Sequence, residues 1–112
     1  MINSVILMGR LTADPDFSQT QNGTAYCRFT VAIDRKFADK TTGQKEADFI
    51  GCTAWRQTAE FVSKYFSKGK MIIVEGTLRN NNYTDSNGVK HYSYNVIADS
   101  VSFGESKSAS NS

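Results

Sequence analysis

The stretch 48–56 constrains the fold of this chain more than any other, because it carries apolar residues on both of its faces. Its Phe, Ile, Thr and Trp residues favour a β-strand, and no proline interrupts them. Side chains alternate along a strand, so Ile50 and Cys52 share a face that we expect in the core. Phe49 and Trp55 share the opposite face. Either more protein covers their rings, or the rings remain free to stack on a flat ligand.

The other segments supply four more strands and one helix. Residues 3–12 form a nearly continuous apolar strand, and residues 25–34 alternate between apolar and polar. A polar loop is predicted over 35–46, and a helix over 57–67 with Gly69 as its C-cap. With 112 residues, the chain suits one domain. Three strands, one helix and two strands predict an all-β fold, a five-stranded Greek-key OB-fold barrel with one α-helix between strands 3 and 4.

The last two strands are predicted to form a long hairpin. Asn87-Gly88 is a preferred dipeptide for a two-residue turn, and it fixes the register of the strands on either side. The expected inner pairs are Ile72 with Phe103, Val74 with Val101, and Leu78 with Ile97. The expected outer pairs are Tyr83 with Tyr92, Asn81 with Tyr94, and Arg79 with Val96.

Composition and motifs argue against several functional classes. Thirteen basic residues against 11 acidic ones do not make a polycation, so any affinity for a polyanion depends on where the cations lie. No leader or membrane-spanning run is present, and Cys27 and Cys52 suit reduced core thiols, which indicates a cytoplasmic protein. His91 is the sole histidine, and the carboxylates lack the spacing of a metal or acid–base pair. We therefore expect no enzyme, no metal site and no cofactor.

Aromatic rings interleaved with cations favour binding of unpaired nucleic acid. Each base offers a flat face for stacking, and its phosphate attracts lysine and arginine, whereas a duplex hides its base faces. The expected stacking residues are Phe49, Trp55, Tyr83 and Phe37, and the expected backbone contacts are Arg35, Lys36, Arg56, Arg79 and Lys90. Tyr92 and Tyr94 are candidates for additional contact. On residue type, Phe37 could equally fold back into the core.

Many short blocks of this sequence follow one another in an order and with gaps that are typical of one protein family. They are Val5-Ile6-Leu7-Met8-Gly9-Arg10-Leu11, Asp14-Pro15, Asn22-Gly23, Phe29-Thr30-Val31-Ala32, Ala47-Asp48-Phe49-Ile50, Ala54-Trp55, Ala59-Glu60, Lys68-Gly69, Val74-Glu75-Gly76-Thr77-Leu78-Arg79 and Tyr83-Thr84-Asp85. Through these blocks, the chain resembles the bacterial single-stranded DNA-binding proteins (SSB) over residues 1 to about 104.

The resemblance implies an OB-fold subunit of a homotetramer, a dimer of dimers, that binds single-stranded DNA during replication, recombination and repair and is associated with the nucleoid. The stacking aromatics of the family fall at Phe37, Phe49, Trp55 and Tyr83, which favours the ligand for Phe37. Several family members carry tryptophan at the positions of Phe37, Phe49 and Tyr83, so the smaller rings of this chain should still stack on bases, but less strongly.

The resemblance also bears on domain organisation. The OB-fold domain is expected over 1–104, followed by a short disordered Ser-rich tail over 105–112. Family members typically extend through a long Gly/Gln/Pro-rich tail to an acidic tip that recruits repair and replication enzymes. This sequence has no such tip, so recruitment through it is not expected.

Three alternative functions stay open at the level of sequence. An RNA-binding OB protein of the cold-shock type would use similar rings. An OB-type replication-restart or other interaction subunit would instead bury Phe49 and Trp55 against a protein partner. A hydrolase would require an active site formed between subunits.

Overall fold

The structure is a computed structural model that describes residues 1–38, 45–80 and 82–104, with the backbone alone for residues 36–38 and 45. In chain order, the elements are β1 (Val5–Leu11), β2 (Asp16–Gln19), β3 (Ala25–Ala38), β4 (Lys45–Trp55), α1 (Gln57–Tyr65), β5 (Met71–Asn80), β6 (Tyr83–Thr84), β7 (Lys90–His91) and β8 (Tyr94–Phe103). The tail predicted over 105–112 lies outside the described residues. Within the described ranges, no helix is long and apolar enough to cross a membrane.

Five of the strands close into a barrel, in the order β1, β5, β8, β4 and β3. The ring closes where the end of β1 reaches β3, with Arg10 opposite Ala32 and Leu11 opposite Val31. Neighbouring barrel strands are antiparallel except for β4 and β8, which run parallel. Since α1 lies between the third and fourth barrel strands, the predicted OB-type barrel is confirmed.

The barrel interior follows the alternation seen in the sequence. Cys27, Phe29 and Val31 of β3 point inward, as do Cys52 and Ala54 of β4, and all five are buried. Burial raises the pKa of the Cys27 thiol to about 11 and that of the Cys52 thiol to about 12. Both cysteines are therefore neutral, unbridged thiols at physiological pH, as predicted.

The loop predicted over 35–46 is strand at both of its described ends, 35–38 and 45–46, and its middle lies outside the described residues. β3 continues to Ala38 and β4 begins at Lys45, with the pairing interrupted between Asp34 and Ala38. The apolar alternation of the sequence ends near residue 34. Arg35, Glu46 and Asp48, which follow on the paired strands, are exposed, so strand pairing continues there without an apolar face. The short strand β2, which pairs with β3, was also not predicted.

The helix covers one opening of the barrel with Ala59 and Val62, which are both fully buried. It ends at Tyr65, two residues earlier than predicted, because Phe66 turns to an extended conformation and places its ring in the core. Gly69 is therefore not the C-cap. It has a φ of 87° in the following turn, and its N–H donates to the Leu11 carbonyl. Tyr65, the last residue of the helix, is exposed.

The predicted register of the last hairpin is right near its base and wrong by one residue beyond it. Ile72 pairs with Phe103 and Val74 with Val101 as expected, but a β-bulge follows Glu75. Beyond the bulge, Leu78 and Arg79 pair with Val96 and Asn95, in place of the predicted Ile97 and Val96. The extra residue reverses the faces of β8, so that Val96 is buried and Ile97 lines an outer groove.

The hairpin tip has a three-residue turn, not the predicted two-residue turn. The Asp85 N–H donates to the Val89 carbonyl, and the Gly88 N–H donates to the Asp85 carbonyl. Gly88 has a φ of 80°, whereas Asn87 is not among the residues of positive φ in the described chain. A two-residue type I′ turn needs positive φ at both central residues, so the tip forms the three-residue turn with one left-handed glycine.

Candidate nucleic-acid interface

A groove of about 710 Å³ lies on the outer face of β3 and β4, where β8 joins β4. Gly51, Thr53 and Asn95 are among its lining residues. The Asn95 Nδ2 donates to the Thr53 Oγ1 at 2.7 Å, which ties β8 to β4 through their side chains. Because Gly51 has no side chain, no side chain projects from the outer face of β4 between Phe49 and Thr53. The groove therefore combines a shallow floor with hydrogen-bonding groups.

Two predicted stacking rings stand on the outer face of β4. Phe49 is 68% exposed and Trp55 is 40% exposed, so neither belongs to the hydrophobic core of this chain. The Trp55 indole packs against Tyr26, with ring centroids 5.2 Å apart and planes tilted by 39°. Trp55 is thus held in place at the groove wall while part of its surface remains accessible to a ligand.

Tyr26 and Arg28 also line this groove, although neither was among the expected contact residues. They occupy outward positions of β3 opposite Trp55 and Thr53. The Arg28 guanidinium carbon lies 5.5 Å from the Tyr26 ring centroid, within cation–π range. The alternation of β3 had marked Arg28 as outward-facing. Only the pairing register, which brings Tyr26 beside Trp55, identifies the two residues as part of the site.

Tyr83 stands apart from the barrel face, on the two-stranded sheet of β6 and β7. It is 57% exposed and pairs with His91, where the sequence had predicted Tyr92. The two rings are stacked, with centroids 4.6 Å apart and an interplanar angle of 12°. Tyr92, just before β8, and Tyr94, the first residue of β8, are also exposed.

The carboxylate of Asp85 organises the tip that carries Tyr83. Its Oδ2 lies 2.8 Å from the His91 Nε2, and its Oδ1 accepts hydrogen bonds from the N–H groups of Asn87 and Val89. These contacts, the His91 bond above all, lower the pKa of the Asp85 carboxyl below its ordinary value. No pattern in the sequence had indicated this contact between His91 and Asp85.

The predicted backbone-contacting cations differ in their surroundings. Arg35 is bound by two carboxylates across the β3–β4 ribbon, with Glu46 at 2.7 Å and Asp48 at 2.9 Å. Its hydrogen bond to Asp48, followed by the charges of both carboxylates, raises its pKa. Arg79 and Lys90 are exposed. The side chains of Lys36 and Phe37 lie outside the described residues.

Arg56 joins the groove to the helix in an unusual backbone conformation. Its φ of 59° is the one positive value among the described residues other than glycine. Its N–H donates to the Ala25 carbonyl at 2.7 Å, and its own carbonyl accepts from the Glu60 N–H. This turn directs the chain from β4 into α1, and it leaves the Arg56 side chain exposed directly after Trp55.

The fold and the groove together define a class of protein, an OB-fold barrel with exposed rings and cations on its outer face. The model of the Single-strand binding protein family matches residues 2–104, and the chain belongs to that family.

Curated relatives have matching names. The "Single-stranded DNA-binding protein" of Fusobacterium nucleatum is 47% identical, over 97% of this chain and 71% of that protein. The protein of the same name from Bacillus cereus is 48% identical, over 92% of this chain and 60% of that protein. "Single-stranded DNA-binding protein A" of Bacillus subtilis is 42% identical, over all of this chain and 64% of that protein. The chain thus spans roughly two thirds of the length of these relatives.

Proposed function

We propose that this protein binds single-stranded DNA without strong sequence preference, by stacking bases on aromatic rings and by placing cations along the phosphates. The exposure of Phe49, Trp55 and Tyr83 outside the core is the observation that carries the proposal. Stacking uses the flat face that every base has, so it tolerates any sequence. Membership of the family and the names of the relatives support DNA as the polymer.

The groove favours an unpaired strand over a duplex. Trp55 and Tyr26 present rings along its wall, and paired bases within a duplex do not expose their faces to such rings. Arg28 in the groove and Arg56 beside Trp55 supply positive charge within the same region. We include Phe37 and Lys36 of β3 in this proposal, since the sequence favours both as contacts. Arg35 also belongs to it, and phosphate would compete there with Glu46 and Asp48.

The role proposed for this activity is to protect unpaired DNA during replication, recombination and repair. In that role, the protein would act by binding the DNA of the cell and would catalyse no reaction. Among the described residues, no group of three or more His, Cys, Asp and Glu side chains could hold a metal ion.

We also propose that the chain assembles as a homotetramer. In the described part of the chain, β1 pairs with β3 only through Arg10 and Leu11, and Gly9 packs against Ala32, so residues 5–8 lie along an open edge on that side. Ile6 and Met8, on this strand, are 69% and 51% exposed. An open edge with exposed apolar residues favours pairing with a second copy.

Titration of the sole tryptophan tests the proposed function. Trp55 fluorescence is measured with oligo-dT, oligo-U and a duplex at several salt concentrations. We expect strong quenching by oligo-dT that weakens as salt rises, and little response to the duplex. Equal quenching by oligo-U would redirect the proposal to RNA. Absence of any response, together with no binding by filter retention, would contradict it and favour a protein partner for these rings.

A further inference from the structure

The ring of Tyr83 is held by the small β6–β7 sheet and not by the barrel. β6 and β7 contribute two residue pairs, Tyr83 with His91 and Thr84 with Lys90. A two-stranded sheet of this size is marginally stable without further contacts. The imidazole of His91 lies nearly parallel to the Tyr83 ring, 4.6 Å from its centroid and at 12° to its plane. One face of Tyr83 is therefore covered by His91, while the side chain as a whole remains 57% exposed.

His91 is itself held in position. Its Nε2 lies 2.8 Å from the Asp85 Oδ2. The other oxygen of Asp85 is held by the backbone N–H groups of Asn87 and Val89, at 2.9 and 3.0 Å. The hairpin turn thus fixes the carboxylate, the carboxylate fixes the imidazole, and the imidazole fixes the plane of the tyrosine ring.

We propose that His91 is a positioning residue for single-stranded DNA, which holds Tyr83 in the orientation that a base then stacks upon. The inference rests on the proposed function. An exposed tyrosine loses rotational freedom when a base stacks on it, and that loss weakens binding. A ring already held against a second ring has lost that freedom beforehand, so more of the stacking free energy appears as affinity.

This role differs from direct contact with DNA. His91 faces Tyr83 on one side and Asp85 at its Nε2. If His91 acts through Tyr83, its removal matters only when Tyr83 is present. Direct contact with a base or phosphate would matter in either background. A double-mutant cycle separates the two.

The cycle compares oligo-dT affinities of the unaltered protein, His91→Ala, Tyr83→Ala and the double variant. We expect His91→Ala to weaken binding about two- to tenfold, the range of an aromatic pair. We expect no further loss from His91→Ala once Tyr83 is alanine. His91→Phe keeps a flat ring at the position and should restore most of the affinity. Thermal melting of each variant confirms that the barrel is intact.

A loss from His91→Ala that persists in the Tyr83→Ala background would overturn the proposal in favour of direct contact. Unchanged affinity of His91→Ala in the presence of Tyr83 would also overturn it. Tyr92→Ala is a matched control. It removes a neighbouring exposed ring, and it should not change the effect of His91→Ala.

NMR of the free protein tests, without DNA, whether His91 stacks on Tyr83. Because His91 is the sole histidine, its imidazole protons are assigned without ambiguity. We expect the Tyr83 ring to shift these signals upfield, an effect that Tyr83→Leu abolishes. We expect His91→Ala to increase the mobility of the Tyr83 side chain. An imidazole unaffected by Tyr83→Leu would overturn the proposal. If instead the ring support is found but oligo-dT does not bind, the proposed function fails while the positioning of Tyr83 stands.

Discussion

At the scale of single residues, the aromatic side chains divide into those that are buried in the barrel core and those that are exposed on its surface. Phe29 and Phe49 lie on neighbouring strands, yet Phe29 is 6% exposed and Phe49 is 68% exposed. The same side chain therefore has two roles that differ only by the face of the strand on which it lies. Substitutions at the two positions should separate stability from binding.

We expect Phe49→Ala to weaken oligo-dT binding by about 1–3 kcal/mol, the range of one stacked base, and to leave the melting temperature nearly unchanged. Phe29→Ala should do the reverse and lower the free energy of unfolding by about 3–5 kcal/mol. Tyr65→Ala is the control for binding, since this exposed ring lies on α1 and not among the groove residues. Fluorescence titration and thermal melting measure the two effects. A large loss of stability in Phe49→Ala would show that its ring packs within the protein.

Two glycines in strands, Gly76 and Gly51, allow a second comparison, because the space available for an added side chain differs between them. A Cβ at Gly76 would overlap the carbonyl oxygen of Ile97, a backbone atom that cannot turn away. A Cβ at Gly51 would meet its nearest neighbour, the Asn95 Oδ1, at 3.5 Å. We expect Gly76→Ala to lower the free energy of unfolding by about 1–3 kcal/mol. Gly51→Ala should change it by less than about 0.5 kcal/mol. Urea denaturation measures both, and equal effects would contradict the expectation.

At the scale of elements, the sequence predicts which segments form strands better than how those strands pair. Alternation in β3 and β4 places Cys27 and Cys52 inside because burial of an apolar face leaves a pattern of period two. The bulge after Glu75 leaves no such pattern. It arises where the barrel must bend, and it exchanges the roles of Val96 and Ile97. Tyr26 escaped notice for a related reason, since only the pairing register brings it beside Trp55.

The hairpin tip should loosen in acid before the barrel does. The pKa of Asp85 is lowered in the folded state, so its contacts stabilise the tip above the unfolded pKa of about 3.9. That stabilisation is lost as the pH falls through the folded pKa. We expect the amides of Asn87 and Val89 to lose protection from hydrogen exchange below about pH 4, while barrel amides keep theirs.

Two variants check the cause of the acid response. Asp85→Asn should remove the pH dependence of the tip, whereas Asp99→Asn, on β8, should leave it in place. Protection of Asn87 and Val89 that persists to about pH 2 would show that the tip does not depend on the carboxylate.

At the scale of the whole molecule, positive and negative charges are nearly balanced. The affinity for a polyanion therefore depends on where the cationic side chains lie. The formal net charge is +2. Arg28 lines the groove beside Tyr26, while Lys64 lies on the helix near Tyr65. Cations that touch phosphates release counterions on binding, and cations elsewhere do not.

The salt dependence of binding should therefore identify the cations that contact DNA. We expect Arg28→Gln to reduce the slope of log K against log salt concentration by about 0.7, the contribution of one phosphate contact to a single strand. Lys64→Gln should leave the slope unchanged. Titrations at four or more salt concentrations measure the slopes. Equal slopes for Arg28→Gln and the unaltered protein would exclude a phosphate contact for Arg28.

The proposed tetramer can be tested at the open edge of β1. Light scattering should give a mass well above the 12.4 kDa of one chain at micromolar concentration. Ile6→Lys places a charge on the exposed face of this strand and should lower that mass. Tyr65→Lys, which alters an exposed ring of the helix, should not. A monomeric mass for the unaltered protein would contradict the proposed tetramer.

The closure of the barrel by β1 also determines when the chain can finish folding. Val5 pairs with Gly76 and Arg10 with Met71, so most partners of the first strand lie in β5, more than 60 residues later in the sequence. During synthesis on the ribosome, β3 and β4 can pair soon after they emerge, whereas β1 must wait until β5 has been made. Until then, we expect the N-terminal strand to be without its main partner and able to pair with other nascent chains, so a chaperone should have its greatest effect in this interval.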